Sequence, residues 1–573
     1  MWVFGDRERV VDPRAVVAGV AGRLADVAAR PAGVDRHAAL VAAFVEAGEL
    51  AQGVADDAFV RGGRDARDPA ADVCLRLVMA IARMVARSWR GDGALSAPIA
   101  EVGAVAAAAL PARVRVRTAE GHAFYALYPE AYLEAAAALA GEPVRVIGIR
   151  SIGAGLAALV AVATGAPLPI TVRPVGPPFA RELRVAPALL AEVLDDPRAR
   201  IAIVDEGPGL SGSSFGAVAD LLEGHGVAPG RLRFFPGHRG ALGPQAAPAH
   251  RARWDRAARH VVDIDALLID SGVLARWVAG VVGPLAPPWR DVGGGRWRAL
   301  RYRDEDAWPP ADVTRERRKF LARAGGATWL VKFAGLGAGG ERALDRARRL
   351  HAAGFGAEPA GLCHGFLVER WCDGAPLDLA GDRASLVDTV GRYLAFRARE
   401  LPAAGEPGAD PDALRAMARR NVGLALGEPA VAALDRRLPA VGAGAWPIET
   451  DNRLHAWEWL VAAGGALIKT DALDHHAGHD LIGCQDVAWD VVGAELELGL
   501  DAAELARVIA IVERDGGRPI DPARRAFLRP CYLAFQLGAF TLAADGGGAP
   551  AEVARLRGAA AGYARRLRAE LAA

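Results

Sequence analysis

The chain has 573 residues, room for about three domains at roughly 100–200 residues each. Its 69 basic and 68 acidic residues leave a net charge of +1, so no basic surplus points to nucleic acid or to an anionic membrane. Five cysteines without metal or disulfide spacing fit a reduced, cytoplasmic protein, and the charged stretch from Met1 to Pro13 lacks the apolar core of a signal peptide. The expected partners are small molecules; oligomeric state is left open.

Residues 14–110 predict helices. Val16, Val17, Val20, Ala21 and Leu24 mark one apolar face, and Leu75, Leu77, Val78, Ile81, Met84 and Val85 mark another, both at helical spacing. "EAGELAQGVAD" (46–56) is polar enough to border a site, but a capped helix is the preferred reading. Short β-branched runs follow at 144–149 ("VRVIGI"), 170–172, 201–204 and 231–235, with a further candidate strand at 260–263 ("HVVD"). Helix-like stretches separate them, so a parallel sheet with helices on its faces is expected. The uncharged run from Ser151 to Val172 is broken by Gly153, Gly155, Gly165, Pro167 and Pro169, which argues against a membrane span.

Residues 281–295 ("VVGPLAPPWRDVGGG") read as the main linker. Beyond it, "GGRWRALRY", "TWLVKFAG" and "FLVERW" predict antiparallel strands, and 380–440 predicts helices, joined by a solvated loop at 405–412. The expected class is multidomain α/β and α+β. A helical N-terminal region spans 1–110, a parallel-sheet domain 111–284 and a two-lobed domain 285–573.

The first candidate site is "IAIVDEGPGLSGSSF" (201–215). A buried strand delivers Asp205 and Glu206 to the carboxyl edge of the sheet, where open α/β folds bind ligands. Gly207, Gly209 and Gly212 permit unusual backbone angles, and Ser211, Ser213 and Ser214 add hydroxyls before a helix N-terminus. Such a turn suits phosphate, and the acids suit ribose hydroxyls or Mg²⁺. A solvated acidic pair beside a Gly/Ser turn is the plain alternative.

Apolar strand, two acids, spacer and hydroxyl-rich loop together resemble the PRPP-binding motif of type I phosphoribosyltransferases. "VIGIRSIGAGLAALVA" (146–161) resembles that family's pyrophosphate loop, which implies that amides from Arg150 through Ser151 to Gly153 face pyrophosphate. Two departures stand out: a spacer one residue longer than usual, and serines in place of threonines. The resemblance implies transfer of phosphoribose from PRPP with Mg²⁺. Asp205 and Glu206 would be the catalytic and metal-binding acids, and Gly209, Ser211, Gly212, Ser213 and Ser214 would bind PRPP. Candidate acceptor contacts are Tyr125, Tyr128, Phe235, His238 and Arg239; Arg173, Arg181 and Arg184 lie on a candidate mobile loop at 170–185.

The second candidate site begins with composition. Only three of the 69 basic residues are lysines, Lys319, Lys332 and Lys469, so each calls for a reason. Lys332 follows "TWLV", "DVGGGRWR" precedes it as a candidate glycine turn over phosphates, and "FLVERW" with Glu369 is a candidate hinge strand. Then come "IETDNRLHAWEWL" (448–460) and "LIKTDALDHHAGHDLIGCQDVAWDV" (467–491). This order resembles the aminoglycoside phosphotransferase/choline kinase-like family. The resemblance implies ATP at Lys332 and Glu369, a catalytic Asp451, a metal-binding Asp471, and Asp486 or Asp490 on a bracing helix. Glu449 and Thr450 replace the family's His-Gly, and Ala456 stands where its Asn is expected, leaving Asn452, His455 or Glu458 as substitutes. A transition-metal site at His475, His476 and His479 is another reading, if the stretch is helical.

Two functions follow as expectations. One is a bifunctional transferase, PRPP-dependent first and ATP-dependent second. The other is a PRPP- or nucleotide-sensing regulator with a degenerate pseudokinase half. A C-terminal half that merely binds the first domain's acceptor ranks below both.

Overall fold

The computed structural model describes residues 1–5, 7–92, 95–403, 408–441 and 444–572. The chain opens with strand β1 (Glu8–Val11) and four helices: α1 (Pro13–Ala29), α2 (Val34–Gly62), α3 (Pro69–Trp89) and α4 (Ile99–Ala107). Asp12 and Asp68 cap α1 and α3, each accepting from first-turn amides beside a proline at the helix start. β2 (Val114–Arg117) returns antiparallel to β1. Mean hydropathy makes α2 long and apolar enough to cross a membrane, but 72% of that window is buried inside the fold, as in a core helix.

Short helices α5 (Glu120–Phe124) and α6 (Pro129–Ala136) lead into the expected parallel sheet. Its strands alternate with helices: β3 (Val144–Ile149), α7 (Gly153–Thr164), β4 (Ile170–Val172), α8 (Pro187–Leu194), β5 (Arg200–Val204), α9 (Ser213–Gly224), β6 (Leu232–Phe235), α10 (Pro248–Arg256) and β7 (Ala258–Arg259). The spatial order β4-β3-β5-β6-β7 is a doubly wound order, with its switch point between β3 and β5. The fifth strand precedes the stretch expected to form it: Ala258 and Arg259 pair with Arg233 and Phe234, and residues 260–263 are coil.

Helix α11 (Val273–Val282) then gives way to β8 (Leu285–Asp291), so the expected linker is a strand. It forms the edge of an antiparallel sheet with β9 (Lys319–Ala324), β10 (Ala327–Phe333), β11 (Pro359–Cys363) and β12 (Phe366–Arg370), in the order β11-β12-β10-β9-β8. The edge tolerates Pro287 and Pro288, which lack the N–H that an inner strand needs, and the register shifts between Ala286 and Arg290. The strand expected at "GGRWRALRY" is a 3₁₀ turn, Arg296–Leu300, because Gly294 and Gly295 at φ 60° and 78° break any extension.

Helix α12 (Ala338–Ala352) lies between β10 and β11. After β13 (Gly374–Pro376) come α13 (Arg383–Glu400), α14 (Pro411–Leu426) and α15 (Glu428–Arg437). The loop expected at 405–412 falls partly outside the described residues; its described end caps α14 through Asp410. β14 (Pro447–Ile448), β15 (Trp459–Ala462), β16 (Leu467–Lys469) and β17 (Gln485–Asp486) precede the closing helices α16 (Ala488–Glu497), α17 (Ala502–Gly516), α18 (Pro522–Asp545) and α19 (Pro550–Ala572). β13, β15 and β16 form a second small sheet opposite the first.

Three apolar cores hold these parts. Ile147, Ile203, Val218 and Phe234 fill one face of the parallel sheet. Tyr393, Met417, Trp489 and Phe535 fill the C-terminal helices. The third joins Val20, Leu40, Ile81 and Leu156 of the helices to Phe333 and Phe366 of the antiparallel sheet, so packing is continuous across residue 284.

Candidate functional site

At the parallel sheet, β5 ends at Val204 and delivers Asp205 and Glu206 to the switch point, as its apolar sequence predicts. Glu206 Oε2 accepts from the Gly121 amide at 2.8 Å, and Asp205 Oδ1 accepts from the Glu206 amide at 2.8 Å. A Cβ at 121 would sit 2.6 Å from Glu206 Oε2, so a larger residue there would displace that carboxylate. Burial pushes the Asp205 carboxyl up to about 7. Burial, with the neighbouring Asp205 charge, pushes Glu206 up to about 8.

The rest of this site departs from expectation. Arg150 offers nothing to a pyrophosphate: its amide donates to Val172 O at 2.9 Å, and its buried guanidinium is held by Asp56, Asp65 and Thr171. Arg173 likewise binds Asp56 and the Arg150 carbonyl. Ser151 lines a small pocket against α2, beside Glu49 and Gln52. Gly153 serves close packing, since a Cβ there would lie 2.7 Å from Val204 O. Gly209 and Gly212 adopt φ 59° and 60°, the left-handed angles a tight turn needs. Ser211 and Ser213 hydroxyls bond each other at 2.9 Å, and Ser213 also donates to Pro178 O, so the 170–185 loop rests on this turn. Ser214, the second residue of α9, is half-buried.

The expected acceptor contacts scatter. Tyr128 and Phe235 are core residues. His238 accepts from Gly240 N, and Arg239 donates to Val261 O. Arg181 turns back on Gly176 O. Tyr125 faces the other site.

That other site is a cleft of about 350 Å³ between the antiparallel sheet and the small sheet. The register pairs Lys332 with Leu367 and Leu330 with Glu369, which puts Leu330, Lys332 and Glu369 on one face of the sheet. Across the cleft, Lys332 Nζ meets Asp471 Oδ1 at 2.5 Å. Burial opposes the lysine's charge, but Asp471 outweighs it and raises its affinity for the proton. Asp471 is held well below the usual carboxylate range: burial opposes its charge, and Lys332 and His475 overcome it. Burial pushes Glu369 up to about 7 against the pull of Lys332.

All three lysines line this cleft. Lys319, cross-strand from Lys332, pairs with Glu316 at 2.7 Å. Lys469 lies 3.3 Å from Asp451. Asp471, Asp474 and His475 each bring one ligand atom within 4.8 Å of the others. His475 is pushed up to about 9: burial opposes the charge, but Asp471 and the hydrogen bonds to Asp451 and Asp471 prevail. It therefore carries its proton at neutral pH and braces the two acids. The carboxylates of Asp471 and Asp474 are the hard oxygen donors that Mg²⁺ prefers.

Asp451 does not reach the cleft. It is fully buried, accepts from Tyr393 and sits beside Lys469 and His475. The loop carrying it is braced as expected, for Asp490 accepts from the amides of Asp451 and Asn452 at 2.8 and 2.9 Å. Asp486 instead accepts from Ala488 and Trp446 amides. Of the substitutes for the missing Asn, His455 and Glu458 line the cleft, whereas Asn452 is buried and bonds Trp489. The three histidines diverge: His475 faces Asp471, His476 faces Glu449, and His479 pairs with Glu120 at 2.8 Å. The transition-metal reading of that trio is thereby corrected. The glycines of "DVGGGRWR" turn towards Glu316, whose carboxylate accepts from Gly295 N.

Phe4, Phe124 and Arg317 carry no local sequence signal for this cleft, and the sequence assigns Tyr125 to the other site. Phe4, Phe124 and Tyr125 form a wall with His479, and Arg317 joins Asp474 at 2.5 Å to Ala123 O at 2.7 Å. Residues 121–125 therefore touch both sites, Gly121 at Glu206 and Tyr125 at the cleft.

No family model and no curated protein matches the chain. Solved structures do show likeness over about half of it. Choline kinase LicA from Streptococcus pneumoniae aligns at 14% identity over 52% of this chain and 99% of its own, with TM-score 0.32. Macrolide 2'-phosphotransferase MphH from Brachybacterium faecium aligns at 19% over 52% and 98%, TM-score 0.33. Spectinomycin phosphotransferase APH(9)-Ia, in complex with ADP and spectinomycin, aligns at 11% over 51% and 93%, TM-score 0.35. Likeness of this degree leaves the chemistry to be read from the side chains themselves.

The raised Asp205 and Glu206 carboxyls predict a pH effect. Unfolded, both titrate near 4. Between about 4 and about 8 the folded chain holds the extra protons, so stability falls as pH rises through that window. In thermal melts, the melting temperature of an Asp205→Asn/Glu206→Gln variant should gain on the wild type from pH 5 to pH 8.5. Parallel profiles would contradict these environments.

Proposed function

We propose that the cleft binds Mg²⁺–ATP and transfers its terminal phosphoryl group to a small-molecule hydroxyl. The observation that supports this most is the Lys332–Asp471 pair, set beside Asp474 and a loop braced by Asp490. Lys332 would neutralise phosphate oxygens, and Asp471 with Asp474 would hold the metal, which screens charge developing on the phosphates when bound. Catalysis of this kind is positioning and electrostatics. Mixing the intact chain with Mg²⁺–ATP and candidate alcohols, and following ADP release, tests it. Lys332→Met or Asp471→Asn should lower turnover about a hundredfold to a thousandfold.

The burial of Asp451 favours a second reading, a nucleotide-sensing module without transfer. It predicts ATP binding that depends on Lys332 with no ADP release for any acceptor. Turnover lost in Lys332→Met eliminates it.

For the parallel sheet, the reading is PRPP binding with Mg²⁺ at Asp205 and Glu206, and phosphoribosyl transfer to an acceptor that the residues do not identify. Its support is the acid pair at the switch point of a doubly wound sheet, followed by a glycine turn and a helix N-terminus. The committed Arg150 leaves pyrophosphate to the turn after Glu206 alone. Isothermal titration with PRPP and Mg²⁺ should give heat that disappears in Asp205→Asn/Glu206→Gln; no binding, or binding unchanged in that variant, sinks this reading.

A further inference from the structure

Away from both sites, His37 of α2, Glu130 of α6 and His364 in the β11–β12 turn meet in the interior. Their exposures are 5%, 0% and 2%, and none of the three lines the cleft. His37 Nε2 lies 2.6 Å and His364 Nε2 2.9 Å from the same oxygen, Glu130 Oε1. The other oxygen, Oε2, is buried without a hydrogen-bond partner. A carboxylate that crowds two imidazoles on one oxygen and leaves the second dry is poorly served by hydrogen bonds alone.

We propose that these residues bind a divalent transition metal, zinc foremost, through His37 Nε2, His364 Nε2 and both oxygens of Glu130. The three groups each offer a ligand atom within 4.8 Å of the others, a span one ion bridges with bonds of about 2.0–2.2 Å. Two imidazoles and a carboxylate suit zinc, copper, iron or nickel over magnesium. His37 Nδ1 lies 2.9 Å from Ser88 Oγ; with its proton there, Nε2 presents a lone pair inward. Tyr128 donates to the His364 carbonyl at 2.8 Å, fixing the turn. His364 itself holds φ 40°, an angle that favours glycine and that the turn keeps while its ring points inward. Trp89, Trp277 and Tyr128 surround the imidazoles and close the site to solvent. A closed site of this kind is structural. It fastens the N-terminal helices to the antiparallel sheet that carries Lys332.

The test is elemental analysis by plasma mass spectrometry of the full chain, made in zinc-supplemented medium and dialysed. About one zinc per chain is expected. Glu130→Gln and His364→Gln should lose it, whereas Asp471→Asn, in the cleft, should keep it. Should the first two variants fail to fold, the wild type suffices: chelation should lower its melting temperature, zinc should restore it, and cobalt should give visible ligand-field bands. Wild-type protein without stoichiometric metal, which neither binds added zinc nor gains stability from it, overturns the proposal. So does metal that leaves with Asp471→Asn and stays with Glu130→Gln.

Discussion

One ion pair organises the C-terminal half. Lys332 on β10 and Asp471 after β16 come from opposite sheets and meet at 2.5 Å. Burying two charges is costly unless each finds a partner, and here each does: Asp471 sets the lysine's proton in place, and Lys332 with His475 keeps the aspartate ionised. Remove either and the other loses its nearest counter-charge. On the proposed reading, an incoming polyphosphate would take over the lysine and its cation the aspartate.

The lysines make the same point through composition. Arg dominates the basic residues, yet all three lysines line one cleft. Arg is a planar fork for fixed bidentate pairs, and this chain uses it that way between Arg173 and Asp56 and between Arg507 and Asp388. Lysine is a compact charge on a flexible stem, suited to a phosphate whose geometry changes during reaction.

What the sequence made legible was local. β-branched runs located β3 to β6, and the acids after β5 reached the sheet edge because a buried strand can end nowhere else. Lys332 and Asp471, singled out by their order along the chain, meet across the cleft, and Asp490 caps the loop of Asp451. Edge and long-range effects were not legible. Pro287 and Pro288 read as a linker because their missing N–H groups matter only on inner strands. Arg150 read as part of a phosphate loop because nothing near it in sequence announces Asp56 and Asp65. Asp451 read as a catalytic acid, and its burial was not legible because its covering residues, Tyr393 and Lys469, lie on separate elements. The wall of Phe4, Phe124 and Tyr125 comes from the far end of the chain, and so does His37 opposite His364.

With so few amines, the chain lends itself to one direct measurement. An acyl-phosphate analogue of ATP transfers its acyl group to a lysine lying against the bound phosphates, and peptide mass spectrometry locates the label. The account predicts labelling at Lys332, suppressed by excess Mg²⁺–ATP and abolished by Asp471→Asn through loss of the metal. Label absent from Lys332, or present there and indifferent to ATP, would contradict it.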